Sequence, residues 1–224
     1  MALVAVDVGH SLAHSGAVSA RGLPEFRFNQ QLAQAVASTL QSHNLGALLI
    51  GARGDAESLA QRTAVATAAG ADLLLSVHHD SVQPRYLQSW TVDGQAWRVS
   101  DRFSGFSLLI SRRNPDPEHS LACAQAIGAA LRAAGQHPSL HHAEPIQGES
   151  RPLVDPMNGI YWFDDLVVLK TASSPAVLLE AGIIVNRADE LQLRDPQRQA
   201  RMAAAVADGV QRCLTVLFRA RPVP

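Results

Sequence analysis

The sequence predicts an α/β protein: a single domain with a mostly parallel sheet flanked by helices on both faces. Three observations predict it. Short apolar runs bounded by turn residues recur at 2–8, 46–52, 71–77, 105–111, 165–170 and 175–182, which suits six strands buried on both faces. Amphipathic stretches alternate with these runs, as crossover helices do. No internal repeat or low-complexity linker divides the 224 residues, a length that supports one generous core.

The elements follow in order. "ALVAVDV" opens the sheet, and 26–43 then carries Leu32, Val36 and Leu40 at a spacing of four, one helical stripe. "GALLIGA" is the second strand, 56–69 a second helix, and "ADLLLSV" the third strand. Residues 83–104 break the pattern. Asp93-Gly94 stands there between alternating segments, a hairpin signal, and we expect an inserted hairpin that forms a wall or lid of a groove. "GFSLLIS" is followed by a helix over 116–134 that stops at Gly135. Residues 136–164 form a long irregular loop rich in Pro and Gly, a kind of segment that is more often functional than accidental. "DLVVLK" and "PAVLLEAG" complete the strands, and 196–219 is the last helix.

Composition excludes several classes of function. With 47% hydrophobic residues, 17% charged and a net charge of −1, nothing favours nucleic acid or an anionic membrane surface. No apolar run has the length of a membrane span. The start "MALVAVDVGH" reads as a core strand rather than a signal peptide, so export is not explained by this chain. Cys123 and Cys213 lie in helix-like stretches with apolar neighbours, where we expect packed thiols rather than a disulfide.

The polar residues that end the strands point to chemistry. His10 follows the first strand, His78 and His79 end the third, Glu180 ends the last, and Glu25 starts the helix that returns from the same edge. Carboxyl ends of parallel strands are where sites form. Two histidines and a glutamate are a frequent set for catalytic zinc, which leaves a spare carboxylate to take a proton from water. The plainer alternative is a group of solvated side chains at strand ends.

The order of these blocks resembles the family 3 zinc-dependent N-acetylmuramoyl-L-alanine amidases, which cleave peptidoglycan. The blocks are "VDVGH" (6–10), "GLPEFRFN" (22–29), Arg53, "LAQR" (59–62), "ADLLLSVH" (71–78) and "PAVLLEAGIIVN" (175–186). The resemblance spans about residues 3–217. It implies a mixed, largely parallel six-stranded sheet, one Zn²⁺ per chain held by His10, Glu25 and His78, and Glu180 as the catalytic carboxylate. It further implies peptidoglycan or a muropeptide as substrate and a place in the cell envelope or periplasm; an activator protein is not implied either way. The chain departs from the family pattern at "HSLAHSG" (10–16) and at His79-Asp80, where the family has Ala-Asn.

Around this set, Asp7, His14, His79 and Asp80 are candidates for supporting the ligands or meeting substrate. Neighbouring strand residues face opposite ways, so His78 and His79 are not expected to share an ion, and His79 is read mainly as a surface residue. His141 and His142 are read mainly as loop residues, with metal binding the lesser alternative. Arg53 and Arg62 are expected to hold structure through ion pairs. Trp90, Trp97, Tyr161 and Trp162 either pack the irregular segments or face the groove. Two rival functions stay open at this point: a zinc peptidase or other amidohydrolase on a small peptide, and a catalytically silent wall-binding relative.

Overall fold

The computed structural model describes residues 1–56 and 58–220, and side chains to residue 217. Its centre is a seven-stranded sheet. The strands are β1 (Leu3–Val8), β2 (Gly46–Ile50), β3 (Leu73–Asp80), β6 (Ser107–Ile110), β7 (Leu153–Asp155), β8 (Ile160–Trp162) and β9 (Ala176–Ile183), and they lie side by side as β2-β1-β3-β9-β6-β8-β7. Strands β2, β1, β3 and β9 run parallel, whereas β6 is antiparallel to β9. Thus β1, β3 and β9 bring their carboxyl ends to one edge, as expected, but β6 brings its amino end there, and Ser107 pairs with Glu180.

The sheet carries seven strands rather than six because two of them hide in the irregular segment. Residues 153–155 and 160–162 are too short to show alternation, yet they form β7 and β8. Conversely, the run at 165–170 is no strand. It contributes to helix α4 (Val167–Thr171), which buries Val168 and Leu169, and periodicity cannot distinguish a short buried helix from a buried strand.

Side-chain alternation divides the core between the two faces. Val4, Val6, Leu75, Val77, Val177 and Leu179 face helices α1 (Glu25–Ser42), α3 (Pro117–Ala133) and α6 (Pro196–Ala220). Ala5, Leu74, Leu109 and Leu178 face the opposite side with α2 (Leu59–Ala68) and α4. A short helix α5 (Arg187–Arg194), which periodicity does not reveal, is capped by Asn186, whose side chain accepts from the amides of Ala188 and Asp189.

The inserted hairpin is present as β4 (Gln88–Val92) and β5 (Gln95–Val99). Asp93 (φ 51°) and Gly94 (φ 74°) give the doubly left-handed turn that suits twisted strands. Trp90 and Trp97 are cross-strand partners. Arg21 and Arg187 lie over the Trp90 ring at 5.2 and 5.3 Å, and Trp97 fills the space over Gly22. These aromatics therefore fasten the hairpin to the domain.

One expectation about the core is overturned. Cys123 on α3 and Cys213 on α6 are joined in a disulfide, with Cα atoms 4.8 Å apart. Two helix faces that each carry a buried cysteine came into register, which a single sequence cannot reveal. Among the described residues, no helix is long and apolar enough to cross a membrane.

Candidate metal centre and its cavity

The first strand sets the geometry. β1 ends at Val8, and His10 then adopts a left-handed backbone (φ 68°) that turns its side chain toward α1. For a residue other than glycine such a conformation is uncommon and concentrates at functional sites. Glu25, the first residue of α1, is buried and meets this turn. His10 Nε2 is 3.0 Å from Glu25 Oε2, and His78 Nδ1, from β3, is 3.1 Å from Oε1. The three ligand atoms lie within 4.8 Å of one another.

The surroundings hold this triad in shape. Glu25 Oε2 accepts the Ala17 amide at 3.0 Å, and Oε1 accepts Asn29 Nδ2 at 3.0 Å. Asn29 also donates to the Gly9 carbonyl. A Cβ at Gly9 would overlap the His78 imidazole, and one at Gly16 (φ 78°) would overlap Glu25 and His10. Burial pushes the Glu25 carboxyl up, but hydrogen bonds and charge from His10 and His78 outweigh it and hold the group well below the usual range. Two imidazoles and an ionised carboxylate, oriented by a further set of hydrogen bonds, are a donor set that suits zinc.

Asp7 is buried and accepts from Arg62 Nη1 at 2.6 Å and Ser76 Oγ at 2.7 Å. Arg62 in turn donates to the carbonyls of Val8, His10 and Ala56. This pair fixes the turn that aims His10, so Arg62 holds structure as expected. Arg53 does so only as an exposed pair with Asp55.

His79 corrects its expectation. It is no surface residue but is buried on the opposite side of β3, 2.8 Å from Asn29 Oδ1 and against the Phe28 ring. Burial drives its pKa down to about 3, so it is neutral. His14 is exposed but lines the cavity.

That cavity, of about 460 Å³, lies over the α2/α4 side of the sheet edge. His10, His78 and Glu180 line it beside an apolar wall that includes Leu109, Phe163, Val168 and Leu178. None of Trp90, Trp97, Tyr161 and Trp162 lines it, so all four belong to packing. Glu180 pairs with His78 across β9 and β3, and its Oε2 is buried without a hydrogen-bond partner. Burial, with the negative charges of Asp80 and Glu25, pushes the Glu180 carboxyl well above the ordinary carboxylate range.

A second group stands beside the first, at histidines for which the sequence held metal binding only as the lesser alternative. Asp80, His141 and His142 also bring ligand atoms within 4.8 Å of one another, and Asp80 and His142 line the same cavity. The histidines come from a short 3₁₀ turn at His141–Ala143 inside the irregular segment, where no periodicity marks a buried face.

An α/β sheet that gathers histidines and carboxylates at its parallel strand ends is a frame on which metal-assisted hydrolysis can be built. The chain belongs to the N-acetylmuramoyl-L-alanine amidase family, whose model matches residues 4–212. It is 25% identical over 217 residues to the N-acetylmuramoyl-L-alanine amidase AmiA of Escherichia coli, covering 93% of this chain and 74% of that one. It is also similar to the solved catalytic domain of CwlV, an N-acetylmuramoyl-L-alanine amidase of Bacillus (Paenibacillus) polymyxa. That match has 27% identity and a TM-score of 0.72 and covers 96% and 99% of the two chains. The Ami1 amidase of Mycobacterium smegmatis shares the fold at 20% identity and TM-score 0.75, covering 96% and 97%.

Proposed function

We propose that the chain is a zinc-dependent amidase that hydrolyses the bond between the N-acetylmuramoyl lactyl group and L-alanine in peptidoglycan. His10, Glu25 and His78 hold the ion, and Glu180 is the catalytic carboxylate. The observation that carries this reading is the convergence of the three ligand atoms beside a cavity that His10, His78 and Glu180 line. When bound, zinc supplies a Lewis acid for the scissile carbonyl and makes water a nucleophile near neutral pH.

The protein's own residues supply the rest. Glu180 accepts the proton of the attacking water and passes it to the departing amine of L-alanine, as a positioned general base and acid. Burial and the negative charges of Asp80 and Glu25 raise the proton affinity of its carboxylate, which suits taking a proton from water. The Asp7–Arg62 pair holds the His10 turn. The disulfide is consistent with an oxidising compartment, which agrees with work at the cell envelope.

Glu180→Gln should lower the rate of L-alanine amine release from muropeptides by about 10²–10⁴-fold, the usual cost of losing a general base. It should keep its zinc, whereas Glu25→Gln should lose metal as well as rate. The measurements are zinc content and amidase rate with a melting curve for each variant. Near-normal turnover in Glu180→Gln would overturn its role. Faster release from plain peptides than from muropeptides would favour the peptidase reading.

A further inference from the structure

We propose that Asp80, His141 and His142 form a second site for a divalent transition-metal ion, separate from the His10–Glu25–His78 triad. Asp80 Oδ2 is 3.1 Å from His141 Nε2 and 3.1 Å from His142 Nε2. All three atoms are buried, and none has a hydrogen bond of acceptable geometry. Buried polar groups are almost always paired, so three unpaired atoms aimed at one point ask for a shared partner.

The outer sides of both rings are already engaged. His142 Nδ1 is 2.8 Å from Glu149 Oε2. A carboxylate accepts only, so His142 Nδ1 carries a proton there, and Nε2 on the Asp80 side is the nitrogen left for an ion. Arg151 Nη1 lies 3.0 Å from His142 Nδ1 but has Glu149 Oε2 as its own acceptor. Gln83 steadies Glu149 from the other oxygen at 2.9 Å. His141 Nδ1 meets Ser139 Oγ at 2.9 Å. A carboxylate or hydroxyl behind each ligating imidazole is how metal-bound histidines are oriented.

The two rings lie 4.0 Å apart between centroids, so one cation can meet both Nε2 atoms and Asp80 and satisfy all three at once. The spacing fits, because ligand atoms at about 2.0–2.1 Å from a tetrahedral ion stand roughly 3.3 Å apart. Imidazole and carboxylate together select zinc-class ions over magnesium or calcium. Phe103 and Tyr161 close the far sides of the pair, while Asp80 and His142 reach the cavity that Glu180 also lines.

The test uses untagged protein loaded with Zn²⁺, dialysed, and analysed for metal per chain, with a parallel Co²⁺ titration followed by visible absorption. Two ions per chain are expected, and Co²⁺ should saturate in two phases. Asp80→Asn keeps the shape of the side chain and should lower the count to one. His142→Ala should do the same, and if it fails to fold, Asp80→Asn carries the test alone. His78→Ala should retain one ion, the one held by the second site. A wild-type protein with one ion that His78→Ala removes and Asp80→Asn keeps would overturn the proposal. A single ion with the opposite pattern would uphold this site and overturn the first triad.

Discussion

At the scale of single residues, the site gathers groups whose charge states oppose one another. Glu25 is held ionised by its imidazoles, His79 is held neutral by burial, and Glu180 is held toward its protonated form by burial and by Asp80 and Glu25. A pH dependence follows for protein stripped of metal. A carboxyl whose pKa is higher folded than unfolded binds more protons in the folded state between those two values, so its contribution to stability falls as pH rises through that window. It begins near the unfolded glutamate value of about 4.3. Glu180→Gln should therefore be more stable than the parent at pH 7, and the gain should vanish toward pH 4. Urea midpoints of both proteins in chelator from pH 4 to pH 8 check this, and a less stable variant at pH 7 would refute it.

At the scale of elements, the hairpin β4–β5 is a fastened appendage. Its strands contribute nothing to the cavity lining, and its tryptophans meet Gly22 and the guanidinium groups of Arg21 and Arg187. Trp97→Ala should cost about 2 kcal/mol, less than the 3–5 typical of a fully buried tryptophan. It should leave the amidase rate per folded molecule within about twofold. A large rate loss at unchanged stability would restore the lid reading. This hairpin was legible in the sequence because its turn chemistry is local, and β1, β3 and β9 were legible because each is long and apolar. The triad was legible because each member sits at the end of such an element. His141 and His142 were not, since they lie where chain path depends on distant packing. The disulfide was invisible for the same reason: which face α3 presents to α6 is decided by the whole core.

At the scale of the molecule, the disulfide ties α3 to the carboxy-terminal helix across a sequence separation of 90 residues. A link that closes so long a loop removes much freedom from the unfolded chain, and such bridges are typically worth about 2–4 kcal/mol. Protein purified without reductant should show no free thiols after denaturation, and reduction should lower its unfolding free energy by about that amount. Zinc content and amidase rate should stay unchanged, because neither helix contributes a residue to the cavity. Two titratable thiols in the unreduced protein would refute the link.

The strand order has a consequence for how the molecule comes into being. β9 lies between β3 and β6, at the middle of the sheet, although it is the last strand in the chain. A polypeptide that emerges amino end first thus presents His10, Glu25 and His78 well before Glu180, the last of the three by about a hundred residues. Until β9 inserts, one edge of β3 stands open and Glu180 has no place beside His78. Synthesis that stops early gives a fragment with the His10–Glu25–His78 end and without Glu180. On the roles proposed above, this wiring postpones bond-cutting competence until the chain is nearly complete.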